Sequence, residues 1–155
     1  FIYFPTKQAL IHELALKTAR EQSAYIKSLL SPAMTARECF FTIWEGSARW
    51  FLDHPDAYAF ILQVRDSGMI AEEVVQESNQ YFDYYYTAIQ KGLAENAIQP
   101  YPLELIGGFL YQDIAATVNL LRRQPDPAAQ AEVIRTGFKI FWDGIKQDPS
   151  KMEQK

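Results

Sequence analysis

The chain has one cysteine, two histidines and seven glycines among 155 residues, and these scarcities remove several classes of chemistry. A single thiol, Cys39, excludes an internal disulfide and a cysteine-based metal site, and it fits a reducing compartment such as the cytoplasm. With no basic pair nearby, Cys39 reads as a small buried apolar residue. His12 and His54 have no partner at ligand spacing: Glu13 is adjacent to His12, and no H-E-x-x-H or E-x-x-H pair occurs. No metal is expected. There is no G-x-S-x-G, no P-loop and no dinucleotide fingerprint, so an enzyme reading has no residues to rest on and no cofactor is implied. No apolar run approaches the roughly 18 residues that would span a bilayer, so no membrane role is expected. Positive charge is also short, with 15 Lys and Arg against 19 Asp and Glu and a net charge of -4. Phosphate neutralisation needs a basic face, so any contact with nucleic acid must be local.

What is present is apolar and aromatic. Hydrophobic residues make up 48% and charged residues 22% of the chain, which are globular values. A chain of this size forms one domain, burying close to about 70% of its unfolded surface. Thr6 reads as an N-cap ahead of a helix carrying Leu10, Ile11, Leu14, Thr18, Tyr25, Ile26 and Leu29, which ends near Pro32. The "TARE" at 35 to 38 is a capping box opening a second helix, to about Asp53, apolar around so much of its circumference that it should be central. Pro55 marks where the second helix stops and the next begins, and Ala57 to Arg65 reads as a short third helix that Ser67 and Gly68 end. Ile70, Val74, Ser78, Tyr81, Phe82, Tyr85, Ile89 and Leu93 recur at steps of three and four, predicting one long helix closed near Asn96. A fifth helix runs from Leu103 to Arg123 with Gly107 and Gly108 inside it. Each glycine costs about 1 kcal/mol relative to Ala, so a close packing contact is expected there. Asp126 and Pro127 cap the sixth, striped by Ile134, Phe138, Phe141, Trp142 and Ile145. No β-branched alternation and no long repeat is evident. The expectation is an all-α, irregular bundle of six helices.

The first ten residues, "FIYFPTKQAL", lack an initiator Met, and the first Met is Met34. Pro5 interrupts the apolar start and no basic region frames it, so it is not a signal peptide. The stretch resembles the end of the helix-turn-helix in the tetracycline-repressor (TetR) family of bacterial regulators, where an aromatic, a variable residue, His or Tyr, Phe, often Pro, Ser or Thr, Lys, two variable residues and Leu follow one another. Phe1, Tyr3, Phe4, Pro5, Thr6, Lys7 and Leu10 occupy those positions. Phe4 and Leu10 would pin the recognition helix onto the next one, while Tyr3, Thr6 and Lys7 sit at a helix N-terminus, which favours phosphate. Phe1 stands where the family commonly has Tyr and lacks the hydroxyl, leaving Tyr3 and Lys7 as the backbone contacts carried over. "DHPDAYAFI" and "KGLAENAIQP" are similar to segments common in these regulators. The resemblance implies three parts: residues 1–10 as the cut end of a helix-turn-helix and the start of a connecting helix, 11–148 as a ligand-binding and dimerisation domain, and 149–155 as a polar tail. It further implies that the middle helices surround a small-molecule pocket and that the last two form a four-helix dimer interface.

The run "YFDYYY" at 81 to 86 suggests the pocket. On one helix Tyr81, Phe82 and Tyr85 share a face, and buried tyrosine hydroxyls need partners. Tyr81 and Tyr85, with Phe40, Trp44 and Ser47 of the second helix and Tyr111 of the fifth, are expected to line an apolar cavity with a few polar anchors, although core packing accounts for each aromatic singly. Asp113 falls close to an apolar stripe, where it either anchors a cationic ligand, pairs with an Arg across the dimer, or is a partly exposed carboxylate. The stripe of Ile134, Phe138, Phe141, Trp142 and Ile145, with Gly107, Leu110 and Ile114, is expected to form the interface of a homodimer, ordinary monomer core being the other reading.

These readings converge on a ligand-responsive transcriptional regulator, a repressor released from operator DNA when a small apolar or aromatic effector binds. An all-helical dimeric interaction module with no physiological ligand is the alternative. A helical-bundle enzyme is a third class, to be revived only by a bound metal or cofactor.

Overall fold

The computed structural model describes residues 6–65, 67–148 and 150. Among them run seven helices: α1 (Lys7–Leu29), α2 (Ala36–Asp53), α3 (Pro55–Val64), α4 (Glu72–Gln80), α5 (Asp83–Ala94), α6 (Leu103–Leu121) and α7 (Pro127–Ile145). The fold is all-α, as the periodicity predicts. The nearest approach to a sheet among the described residues is one isolated bridge, Ile98 to Lys146, which ties the end of α7 to the segment after α5.

Local chemistry sets most boundaries. The Thr6 hydroxyl accepts from the Ala9 N–H at 3.0 Å and starts α1. At α2 the reciprocal capping box is complete: the Glu38 N–H donates to Thr35 Oγ1, and the Thr35 N–H donates to the Glu38 carboxylate at 2.8 Å. Each such cap is worth about 1 kcal/mol. Pro55 and Pro127 occupy first-turn positions, where a missing N–H leaves no helical bond unmade. Gly68 closes the turn after α3 with φ 72°, a conformation that only glycine adopts without strain. Asn96 takes the left-handed position after α5, with φ 54°.

α2 is the central element. It buries Phe40, Ile43, Trp44, Ala48, Trp50 and Phe51 and packs on α1, α3, α5, α6 and α7. Its seam with α7 is aromatic: Trp44 stacks on Phe141 with ring centroids 5.9 Å apart, and Phe40 meets Trp142 at 5.8 Å. The seam also demands a small residue. A Cβ on Gly137 would stand 2.6 Å from Thr117 Oγ1 and 2.9 Å from Trp44 Cζ2, so only glycine lets α7 approach this closely. Tyr58 docks α3 onto α6, its hydroxyl 2.7 Å from Asn119 Oδ1 and 3.1 Å from the Ala115 carbonyl.

Two expectations fail. The long helix across residues 70–93 is two helices, broken at Tyr81 and Phe82, whose N–H groups reach back three residues to Ser78 and Asn79. The apolar spacing is continuous through the break, but the two halves serve different neighbours: α4 lies along α1 and buries no residue, whereas α5 enters the core with Tyr84, Ala88, Ile89 and Gly92. The second failure concerns Gly107 and Gly108. A Cβ on either would meet nothing within 4 Å, so no contact among the described residues accounts for them.

No helix among the described residues is long and apolar enough to cross a membrane.

Candidate functional site

The residues expected around a pocket separate into two groups. Phe40 and Trp44 are fully buried and point into the α2–α7 seam, where the Trp44 indole N–H donates to the Ile134 carbonyl at 3.0 Å. They are core. Tyr81 also leaves the group, because the break before α5 turns it toward α1, where its phenol lies beside the Arg20 guanidinium. Ser47, Tyr85 and Tyr111 do converge, between α2, α5 and α6, and a residue the spacing did not select joins them. Tyr84 is buried and stacks on Tyr85 at 4.9 Å.

This cluster has an unusual polar balance. The Ser47 and Tyr84 hydroxyls are buried, and neither has a hydrogen-bond partner of acceptable geometry among the described residues. A buried hydroxyl without a partner costs about 1–3 kcal/mol, so two in one place need a reason. The Tyr85 phenol is close enough to feel both. Burial pushes it up to about 12, while the neighbouring Ser47 and Tyr84 hydroxyls pull in the opposite direction less strongly. Burial raises the Tyr84 phenol as well, with Tyr85 adding to the effect. Both are therefore neutral donors throughout the physiological range. At the rim, the Arg65 guanidinium carbon sits 3.4 Å from the centroid of the Tyr111 ring, a cation–π contact. Asp113, on the same helix as Tyr111, is half-buried, and that burial raises its carboxyl.

A cleft of ≈ 750 Å³ lies elsewhere, at the C-terminal ends of α2 and α6, with Arg49, Arg122 and Arg123 in its wall. These arginines complement the negative ends of two helices, which suffices to place them there. Among the described residues no group of three His, Cys, Asp or Glu could hold a metal ion.

The stripe expected at a dimer interface is mostly covered by the chain itself. Leu110, Ile114, Ile134, Phe138, Phe141, Trp142 and Ile145 are all buried in the single chain, so a partner would not reach them. The opposite faces of the same helices are apolar and open. Leu105 and Phe109 of α6 are 55% and 60% exposed, Leu120 is 46% exposed, and Ile140 of α7 is 70% exposed. Gly107 and Gly108, and Gly144 on α7, lie beside this surface with open space where a Cβ would be. The signal was present in the sequence: α6 is apolar at 105, 109, 116 and 120 as well as at 106, 110, 114 and 118, two stripes where one core needs one.

Of the residues expected at DNA, Thr6 caps α1 and Lys7 is exposed in its first turn, whereas Tyr3 lies outside the described residues, as do Phe1, Phe4 and Pro5.

No protein-family profile matches the chain, and no curated protein does. Solved structures do. A protein assigned to the TetR family of transcription regulators from Shewanella sp. PV-4 superposes with a TM-score of 0.84 at 20% identity, covering 94% of this chain and 78% of that one. A TetR family transcription regulator from Marinobacter aquaeolei VT8 gives 0.80 at 17% identity, over 94% and 76% of the two chains. A protein of unknown function from Rhodococcus sp. RHA1 gives 0.78 at 21% identity, over 94% and 76%. The chain has the all-α fold found in TetR family transcription regulators.

Proposed function

We propose that this chain is the effector-sensing and dimerising part of a TetR-type transcriptional regulator, acting with a DNA-binding unit attached ahead of α1. The observation that carries the reading is the likeness of fold across 94% of the chain. The opening motif agrees with it.

Within that reading the effector meets the hydroxyls of Ser47, Tyr84, Tyr85 and Tyr111, and it is small, largely apolar and uncharged. Buried ionised groups demand a counter-charge, and the cluster offers neutral donors instead. Two copies associate through the exposed faces of α6 and α7, around Leu105, Phe109 and Ile140, with the open glycines allowing close approach. Effector binding favours a different setting of α1, which alters the spacing of the two recognition helices and releases operator DNA. The cytoplasm is the setting such a regulator requires.

The complete polypeptide tests this. The coding sequence ahead of the Phe1 codon should encode a basic three-helix segment with a helix-turn-helix, and the whole protein should bind an operator fragment by fluorescence anisotropy. Neither result is compatible with an interaction module alone. That second reading draws support from Phe40 and Trp44, whose aromatic bulk serves packing rather than a cavity.

A further inference from the structure

α4 belongs to α1, and α5 belongs to the core. α4 runs beside α1 and buries none of its residues. Polar ties join α1 to the residues on either side of α4. Near the start of α1, Gln8 Nε2 donates to the Met69 carbonyl, and the Ala71 N–H donates to His12 Nε2 at 3.3 Å. Further along, Arg20 binds Glu13 at 3.0 Å and has the Tyr81 phenol beside it. Toward its end, Lys27 pairs with Asp83 at 3.1 Å. Residues 8, 12, 20 and 27 thus meet 69, 71, 81 and 83 in the same order, so residues 69–83 form a strap laid parallel to α1. The strap begins just after Gly68, in its left-handed conformation, and ends at the Tyr81–Phe82 break and the Asp83 that follows it.

Immediately past that break the chain buries Tyr84 and half-buries Tyr85, the latter beside the partnerless hydroxyl of Ser47. The last tie to α1, Asp83, and the first buried phenol, Tyr84, are adjacent residues. We propose that the Tyr81–Phe82 break is the joint of the sensor: a molecule seated among Ser47, Tyr84 and Tyr85 displaces the start of α5, and the strap passes that displacement to α1 through Arg20 and Lys27. The inference rests on the sensor reading above and gives it a route. The polar ties to α1 come from residues 69, 71, 81 and 83, which flank α4, and such groups can be re-set without unpacking a core.

Hydrogen exchange on this chain tests the route without knowing the effector. Ser47→Leu wedges the cluster from α2, and Ala88→Val wedges it from α5, the milder change serving if Ser47→Leu does not fold. Either wedge should speed deuterium uptake in residues 7–20 of α1 at least threefold. Because α2 also packs directly on α1, each wedge is repeated with Arg20→Gln and Lys27→Gln, where the acceleration in α1 relative to that background should vanish while uptake in α5 still rises. Acceleration that persists in that background, or α1 uptake unmoved by a wedge that loosens α5, overturns the joint. The readout involves no DNA and no ligand, so failure here leaves the regulator reading to its own test, and failure of that test leaves this one standing.

Discussion

The indole N–H of Trp44 donates to the backbone carbonyl of Ile134 across 3.0 Å, and both residues are fully buried. This bond fixes α7 on the central helix at the point where Gly137 lets the two approach. Trp44→Phe removes the bond and part of the ring and should cost about 1–2 kcal/mol, whereas Trp44→Ala also opens a cavity and should cost about 3–5 kcal/mol. Urea denaturation measures both. A loss under about 1 kcal/mol for Trp44→Ala would mean that the seam does not hold the fold.

The same seam sets the expected outcome at Gly137. Ala gains about 1 kcal/mol of helix propensity, but its Cβ would be 2.6 Å from Thr117 Oγ1 and 2.9 Å from the Trp44 ring, which must both give way. Gly137→Ala should lower the melting temperature. An unchanged or raised value contradicts the close packing.

Gly108 has open space in place of such a contact, so Gly108→Ala should stabilise an isolated chain by about 0.5–1 kcal/mol yet weaken a dimer that packs there. The stronger test of the proposed interface is Phe109→Glu with Ile140→Glu, which should give a folded monomer by light scattering. Phe138→Glu with Trp142→Glu should unfold the chain instead, because those side chains lie in its own core. A dimer mass retained by the Phe109 and Ile140 pair places the interface elsewhere.

The two buried phenols give a pH dependence with a definite sign. Burial raises the Tyr84 and Tyr85 phenols above 10, the latter to about 12, so between those values the unfolded chain loses protons that the folded chain keeps. Their contribution is complete below about pH 10 and is lost as pH rises toward 12. Burial raises the Tyr58 phenol in the same direction, so absorbance titration of phenolate should show three of the nine tyrosines, Tyr58, Tyr84 and Tyr85, ionising late. Tyr84→Phe with Tyr85→Phe should leave Tyr58 as the one late group of the three. No late-titrating tyrosine, or a late step unchanged in the double variant, contradicts the burial of these phenols.

Much of the fold could be read from the sequence because its signals are local. The Thr35 and Glu38 capping box, Pro127 at the first helical position and Asn96 after α5 all act within one helical turn and appear in the structure as read, and Pro55 marks the boundary between α2 and α3. The centrality of α2 followed from an apolar circumference too broad for one face. What spacing could not supply was direction. Residues 74 to 93 keep helical periodicity through the break at Tyr81, so nothing local signals that α4 and α5 serve different neighbours. The two apolar stripes of α6 are equally regular, and only the assembled fold shows that Leu110 and Ile114 face inward and Leu105 and Phe109 outward. Tyr84 was missed at the candidate site for the same reason: breaking the helix re-phased α5 and exchanged the roles of Tyr81 and Tyr84.

The central claim is that the buried hydroxyls of Ser47 and Tyr84 await a small uncharged molecule, and a thermal-shift screen of this chain against neutral, largely apolar compounds tests it most directly. Removing both hydroxyls, by Ser47→Ala with Tyr84→Phe, should leave the free protein as stable or more so, since unpartnered donors are deleted. At least one compound should raise the melting temperature of the unaltered chain, since a ligand at a hundred times its dissociation constant adds about 2.7 kcal/mol, and the same compound should have a much reduced effect on the double variant. No compound raising the melting temperature, or equal shifts in both proteins, would contradict the account.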